Sequence, residues 1–206
     1  MIAREGWLPI LLCSSAVVLT ALTVGPVWAV PVCVLVLGLV ALFRETSRAV
    51  PSVPLAIVSP IDAKVLFVGP VHDPWLKRDA IVIRLRVPFP GITALLSPTE
   101  GKVMDFFTNF GAADVPTNSP TAYALWIRTD EHDDVAVCIA TRRHSRFKAQ
   151  SAPGERVGHG HRNGFVYFAR EVAVYLPPNT HSQVAPGERV RAGSSIVATL
   201  VRREAP

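Results

Sequence analysis

Cysteine is scarce in this chain, with three among 206 residues, at positions 13, 33 and 138. That number supplies no disulfide framework. Charge is missing altogether from Trp7 to Phe43, which rules out an ordinary solvated surface there. Helical periodicity is missing from the other end, since no stretch past residue 50 keeps an apolar stripe long enough to mark a substantial helix. Metal-ligand spacing is missing too. His159 and His161, with His144, are the nearest approach, but no cysteine or carboxylate stands beside them at a recognised interval, so a glycine-rich loop is expected and no metal. The charge that is present falls almost wholly after Phe43, giving a net +5 and an isoelectric point near 9.5. A basic domain beside an apolar segment suits anionic headgroups, each Lys or Arg near the surface contributing about 1 kcal/mol. Nothing beyond charge favours nucleic acid.

The uncharged run would make roughly 55 Å of helix, nearly twice the ~30 Å hydrocarbon core. Gly25-Pro26 divides it, because proline removes a backbone donor, and Pro31 adds a second weak point. Arg4 flanks one end, and Arg44 and Arg48 the other. With cationic flanks on the cytoplasmic side, the run is a hairpin, either two short spans or a re-entrant loop. Val27-Trp28-Ala29 has the small-x-small form of a signal-peptide cleavage site, yet the apolar run continues beyond it to arginines, a stop-transfer pattern. The expected organisation is a membrane hairpin over 1–48 and one domain over 49–206, at the cell membrane on its cytoplasmic face.

After Phe43 the pattern alternates. Ile81, Ile83, Leu85 and Val87 share one face and Arg84 and Arg86 the other, as in a half-buried strand. Further strands are expected at 63–68, 102–107, 122–128, 135–141, 164–168, 172–176 and 195–201, separated by Pro, Gly, Asn and Asp turns. Cys138 sits in one such run and reads as a small buried hydrophobe. Ala152-Pro-Gly-Glu-Arg-Val157 returns as Ala185-Pro-Gly-Glu-Arg-Val190, and Pro-Gly at the centre suits a type II turn. Two equivalent turns feeding two equivalent strands point to a mainly β, sandwich-like, pseudo-symmetric domain of lipoyl type. No lysine occupies either hairpin tip, so lipoyl attachment is not expected.

Several segments, in order along the chain, resemble the phosphatidylserine decarboxylases of the short bacterial and archaeal type. Met1 to Trp7, with the apolar stretch ending at Phe43-Arg44, is similar to their start. Ser59-Pro60-Ile61-Asp62-Ala63-Lys64-Val65 resembles the family's Ser-Pro-x-Asp-Gly-Lys-Val. Ser97-Pro98-Thr99-Glu100-Gly101-Lys102-Val103 sits where the family has a Pro-x-x-Gly-x-Val turn. Gly164 to Pro177 resembles the strand in which a Gly-Ser pair precedes Val-x-x-Tyr-Leu-Pro, and Gly187 to Ala198 resembles the closing segment. The resemblance implies a β-rich fold and self-cleavage at Gly-Ser. The serine becomes a pyruvoyl group, which takes the lipid's amine as a Schiff base and accepts electrons as carbon dioxide leaves.

At the implied cleavage pair this chain has Ala169 and Arg170, and arginine offers no hydroxyl to attack the preceding carbonyl. Counting back from Ser97-Pro98 places Thr93 where the family has its processing histidine, and threonine is no base near neutral pH. Leu96 and Glu171 also depart from the family pattern. Asp62 alone remains of the implied Asp-His-Ser set, and an aspartate in such a turn also serves by capping the backbone. No pyruvoyl cofactor is expected. Gly193-Ser194, the chain's one Gly-Ser pair, aligns with the closing turn instead. Asp130-Glu-His-Asp-Asp134 reads as a hairpin loop in which a weak cation site is conceivable.

Arg142, Arg143, Arg146 and Lys148 gather four cations around Phe147. They read either as a solvated basic edge or as a phospholipid headgroup site. Three functions are compatible with the whole. One is a catalytically silent homologue that binds phospholipid or a membrane partner. Another is a working decarboxylase that matures at an unrecognised site or borrows a subunit. The third is a membrane-anchored adaptor of lipoyl-like fold.

Overall fold

The computed structural model describes residues 6–23, 25–43, 49–110, 121–142 and 146–201. It separates into two compact units, Met1–Ser47 and Arg48–Pro206.

The first unit is a helical hairpin, α1 (Trp7–Thr23) and α2 (Pro26–Leu42). Gly25, at φ 120°, supplies the turn, and Pro26 occupies the first turn of α2, where its missing N–H costs nothing. Gly6 lies against Phe43, so close that a Cβ at residue 6 would sit 2.6 Å from the phenylalanine side chain. The ends of the hairpin therefore meet. Pro31 does not interrupt α2 as expected, since one missing backbone bond near a helix start leaves the rest of the ladder intact. Each helix has 17 residues, about 25 Å at 1.5 Å per residue. No helix among the described residues is long and apolar enough to cross a membrane, so helix length gives the expected transmembrane reading no support.

The second unit is mainly β. Its strands are β1 (Ala56–Val58), β2 (Ala63–Asp73), β3 (Arg78–Arg86), β4 (Thr93–Leu96), β5 (Gly101–Phe110), β6 (Thr121–Arg128), β7 (Asp134–Thr141), β8 (Phe147–Ala149), β9 (Arg156–Val157), β10 (Arg162–Val166), β11 (Ala169–Leu176), β12 (His181–Ser182), β13 (Arg189–Val190) and β14 (Ile196–Thr199). The large antiparallel sheet has the order β13-β2-β3-β11-β7-β6-β5-β9, flanked by the small sheets β1-β14-β12 and β4-β10-β8. One face of the large sheet supplies Val65, Ile83, Leu85, Leu125, Ile127, Val137, Val172 and Val174 to the main core. On its other face a smaller cluster of Ala80, Ala124, Ala136, Cys138, Ala173 and Tyr175 lies under Trp75 and Phe107.

Reversing the large sheet exchanges β13 with β9, β2 with β5, β3 with β6 and β11 with β7, and the two small sheets match each other strand for strand, so the domain has two equivalent halves. β4 to β10 form one continuously. β1 to β3 and β11 to β14 form the other, interrupted by the first. The equivalence extends to hydrogen bonds. Gly154 N–H donates to Val103 O (2.8 Å) and Gly187 N–H to Val65 O (2.9 Å). The Glu155 and Glu188 carboxylates accept from Ala152 and Ala185 N–H at 2.9 and 3.1 Å. The two Pro-Gly turns hold their glycines at φ 91° and 98°, which glycine alone adopts without strain. Ser59 and Ser97 each turn a hydroxyl onto the carbonyl two residues ahead, both at 2.7 Å. Val58 N–H reaches Pro98 O at 2.8 Å while Leu96 N–H reaches Pro60 O at 2.9 Å.

Candidate functional site

The chain crosses from one half back to the other between β10 and β11, at Tyr167 to Arg170. Phe168 takes a left-handed backbone, φ 56°, which ends the expected strand two residues early and turns the chain into β11. Ala169 is buried and its N–H donates to Gly91 O at 2.8 Å. Phe168 O accepts from Arg142 N–H at 3.0 Å, and Arg170 O from Val87 N–H at 3.1 Å. The peptide joining residues 169 and 170 is thus pinned on both sides, while the Arg170 side chain is exposed.

Thr93 opens β4 and pairs with Val166, three residues ahead of Ala169. It is half-buried, with Oγ1 3.3 Å from the Ala94 carbonyl. Asp62 precedes β2 and accepts Ala192 N–H on Oδ1 at 2.7 Å, so its carboxylate caps the turn between β13 and β14. Lys64 of β2 pairs with Arg86, and Arg86 with Glu171. These pairings put Lys64, Arg86 and Glu171 in one row at an end of the large sheet, while Thr93 lies on the small β4-β10-β8 sheet. Arg84 and Glu171 form an ion pair beside this end. The bond to Glu171 raises the pKa of Arg84, against an opposing effect of burial.

The basic stretch borders the same crossing. The Arg142 guanidinium stacks 5.3 Å from the centre of the Phe89 ring, which is 77% exposed. Arg146 is exposed and its carbonyl accepts Tyr167 N–H at 3.1 Å. Lys148, also exposed, lies on β8 opposite Phe165. Phe147 points elsewhere, packing on Tyr123 and Phe106. Arg143 and His144 lie outside the described residues, as do Arg4, Arg44 and Arg48. Alternation did not single out Phe89 or Phe168, because both stand in turns.

The other candidates resolve into structure. His159 is in a turn and its Nε2 lies 2.7 Å from Ala56 O. Asp130 and Asp134, in and after the β6–β7 loop, are engaged by Arg156 and Arg128. Gly193 takes φ 68° and donates to Ser59 O at 2.8 Å in the closing turn. Cys138 is buried, and burial pushes its thiol up to about 12, far from a working nucleophile.

Curated relatives match nearly the whole chain. A protein of Nitrosomonas europaea named phosphatidylserine decarboxylase proenzyme is 34% identical over 204 residues, covering 96% of this chain and 94% of its own length. Proteins of the same name from Nitrosomonas eutropha and Aromatoleum aromaticum are 35% and 31% identical, covering 96% and 97% of this chain and 94% and 96% of their own. This chain belongs to the phosphatidylserine decarboxylase family. No family model and no solved structure matches it.

Proposed function

We propose that this family member stays one uncleaved chain and acts in phospholipid metabolism by holding phospholipid at a membrane, without decarboxylating it. The observation that carries the reading is the arginine at residue 170, where the resemblance puts the family's serine. Its guanidinium has no nucleophilic oxygen. The peptides on either side of the Ala169–Arg170 bond are tied to Gly91 and Val87. Thr93, on β4 opposite Val166, supplies no general base.

The phospholipid site is the basic stretch Arg142, Arg143, Arg146 and Lys148, of which Arg142, Arg146 and Lys148 are described and exposed. Arginines suit phosphate oxygens, and the exposed Phe89 under Arg142 suits the apolar boundary below them. The helical hairpin supports a membrane location. Leu8, Leu11, Leu12, Leu19, Leu22, Val27, Val34 and Leu37 are all more than half exposed, and a helix apolar all round favours an apolar environment. Two short helices whose ends meet fit a hairpin that enters the bilayer and returns. The cationic flanks Arg4, Arg44 and Arg48 favour the cytoplasmic face.

The test uses the full chain in detergent. Incubated with phosphatidylserine it should release no carbon dioxide, and release above that of a heat-denatured control would refute silence. Binding to anionic vesicles should weaken as salt rises. It should weaken more on neutralising Arg142, Arg143, Arg146 and Lys148 together than on neutralising Lys77, Lys102, Arg156 and Arg191. Equal losses would mean general basicity and no site.

A further inference from the structure

The two halves of the β domain differ in one row of charge. In the β4–β10 half, Arg156, Lys102 and Arg128 lie side by side on β9, β5 and β6. Carboxylates engage the two arginines. Asp130 binds Arg156 and Asp134 binds Arg128, Asp134 also accepting Trp126 Nε1 at 2.8 Å. Asp105, opposite Trp126, stands on the same face one row further on.

The equivalent row in the other half is Arg189, Lys64 and Arg86, on β13, β2 and β3. All three are exposed. Among the described residues none of them forms an ion pair with a carboxylate. Glu171 stands opposite Arg86 as Asp134 stands opposite Arg128, yet it is engaged by Arg84, whose counterpart is the uncharged Trp126. The counterpart of Asp105 is Phe67, 42% exposed, its ring so close over Gly69 that a Cβ there would meet it at 2.8 Å. Among the described residues no member of this row forms an ion pair, where Arg156 and Arg128 of the other row each form one.

Like charges directly opposite on neighbouring strands repel, with Cβ atoms about 5 Å apart. The fold carries this repulsion in one half and relieves it in the other, with the same backbone. We infer that Arg189, Lys64 and Arg86 form a binding site for a phosphate-class anion. The two guanidinium forks, with an ammonium between them, match the several acceptor oxygens of phosphate. Such a group comes either from a soluble phosphate or from a lipid headgroup, and in the second case the Phe67 ring lies where the glycerol or acyl portion would follow. This site is separate from the Arg142 to Lys148 stretch and stands whether or not that stretch holds lipid.

The experiment uses the full chain in detergent at fixed ionic strength. It measures affinity for inorganic phosphate and, separately, flotation with phosphatidylcholine vesicles containing phosphatidylglycerol. Combined Lys64→Gln, Arg86→Gln and Arg189→Gln should weaken the binding seen by about tenfold or more, the effect of losing charge-assisted bonds. Lys102→Gln, in the row whose arginines are paired, should change it less than about twofold. Removing repulsion should leave the melting temperature of the combined variant unchanged or higher. If that variant fails to fold, Arg86→Gln and Arg189→Gln singly carry the comparison. Loss of phosphate and vesicle binding together supports a site open to both sources, loss of vesicle binding alone a headgroup site, and loss of phosphate binding alone a soluble ligand. Absence of saturable binding of either probe, or equal losses from Lys102→Gln, overturns the inference.

Discussion

Gly91 and Ala169 approach more closely than any other residue at position 91 would permit. A Cβ on Gly91 would lie 2.0 Å from the Ala169 carbonyl oxygen and 2.8 Å from its nitrogen, and Gly91 O receives the Ala169 N–H. The contact fixes the chain where it passes from one half of the domain to the other.

Gly91→Ala therefore combines a left-handed backbone, φ 74°, with a collision against main chain. It should destabilise by about 3 kcal/mol or more, lowering the melting temperature by about 6 °C or more. Gly187→Ala is the control. Its φ is 98° with nothing within 4 Å of the added Cβ, so only the conformational cost of about 1–2 kcal/mol applies. Equal losses in thermal melts of the two variants would show that the contact with Ala169 contributes nothing.

Asp73 gives a pH dependence with a definite sign. Its carboxyl is fully buried at the β2–β3 turn. Burial raises its pKa above the ordinary 3.8, outweighing the N–H groups of Trp75 and Leu76 and the charges of Arg78 and His72. The folded state then holds the proton more tightly than the unfolded state. Stability from this group is fully present below the unfolded pKa and is lost as pH rises through the folded one. Asp73→Asn keeps an oxygen for Trp75 and Leu76 N–H, which Oδ1 accepts at 2.9 and 3.3 Å, and removes the buried charge. Melting curves between pH 4 and pH 7 should show the variant gaining on the parent as pH rises. A variant that falls behind at pH 7 would mean that Arg78, with Nε 3.8 Å from Oδ2, outweighs the cost of burial.

The proposal that residues 93, 169 and 170 stand at the family's processing positions can be tested by substitution. Ala169→Gly with Arg170→Ser restores a hydroxyl but no base, and should cleave little. Adding Thr93→His places an imidazole on β4, across from Val166. General-base assistance typically contributes about 10²–10⁴-fold, so the triple variant should cleave faster, read as a new short fragment on denaturing gels. Asp62→Asn in that background should slow it, provided Asp62 gives up Ala192 N–H to orient the ring. Rapid cleavage by the double variant alone would overturn the assignment of residue 93.

Much of this architecture was legible from alternation. Arg78–Arg86 carries the alternation that places Ile83 inward, while Asp134–Thr141 and Ala169–Leu176 are buried almost throughout and were legible as apolar runs. The Pro-Gly repeat was also legible, because glycine's positive φ constrains sequence locally. The two-residue strands β9, β12 and β13 were not. Arg189–Val190 is a strand only because residues 63–64 lie beside it, a partnership without local signal. The same limit hid the cation row, since Arg189, Lys64 and Arg86 are neighbours through register alone. At the site, Asp62, Thr93, Ala169 and Arg170 were placed by resemblance, and their places in the fold depend on pairings that no spacing reveals. The two serine-proline turns at Ser59 and Ser97 were read as family segments, and in the fold they are also each other's counterparts.

The central claim, that this chain does not mature, is tested most directly by the intact mass of the purified protein under denaturing conditions. The account expects a single species near 22.3 kDa, because residue 170 carries no hydroxyl. Two chains, the smaller beginning at residue 170 or in the Gly193-Ser194 turn with a blocked N-terminus, would contradict it.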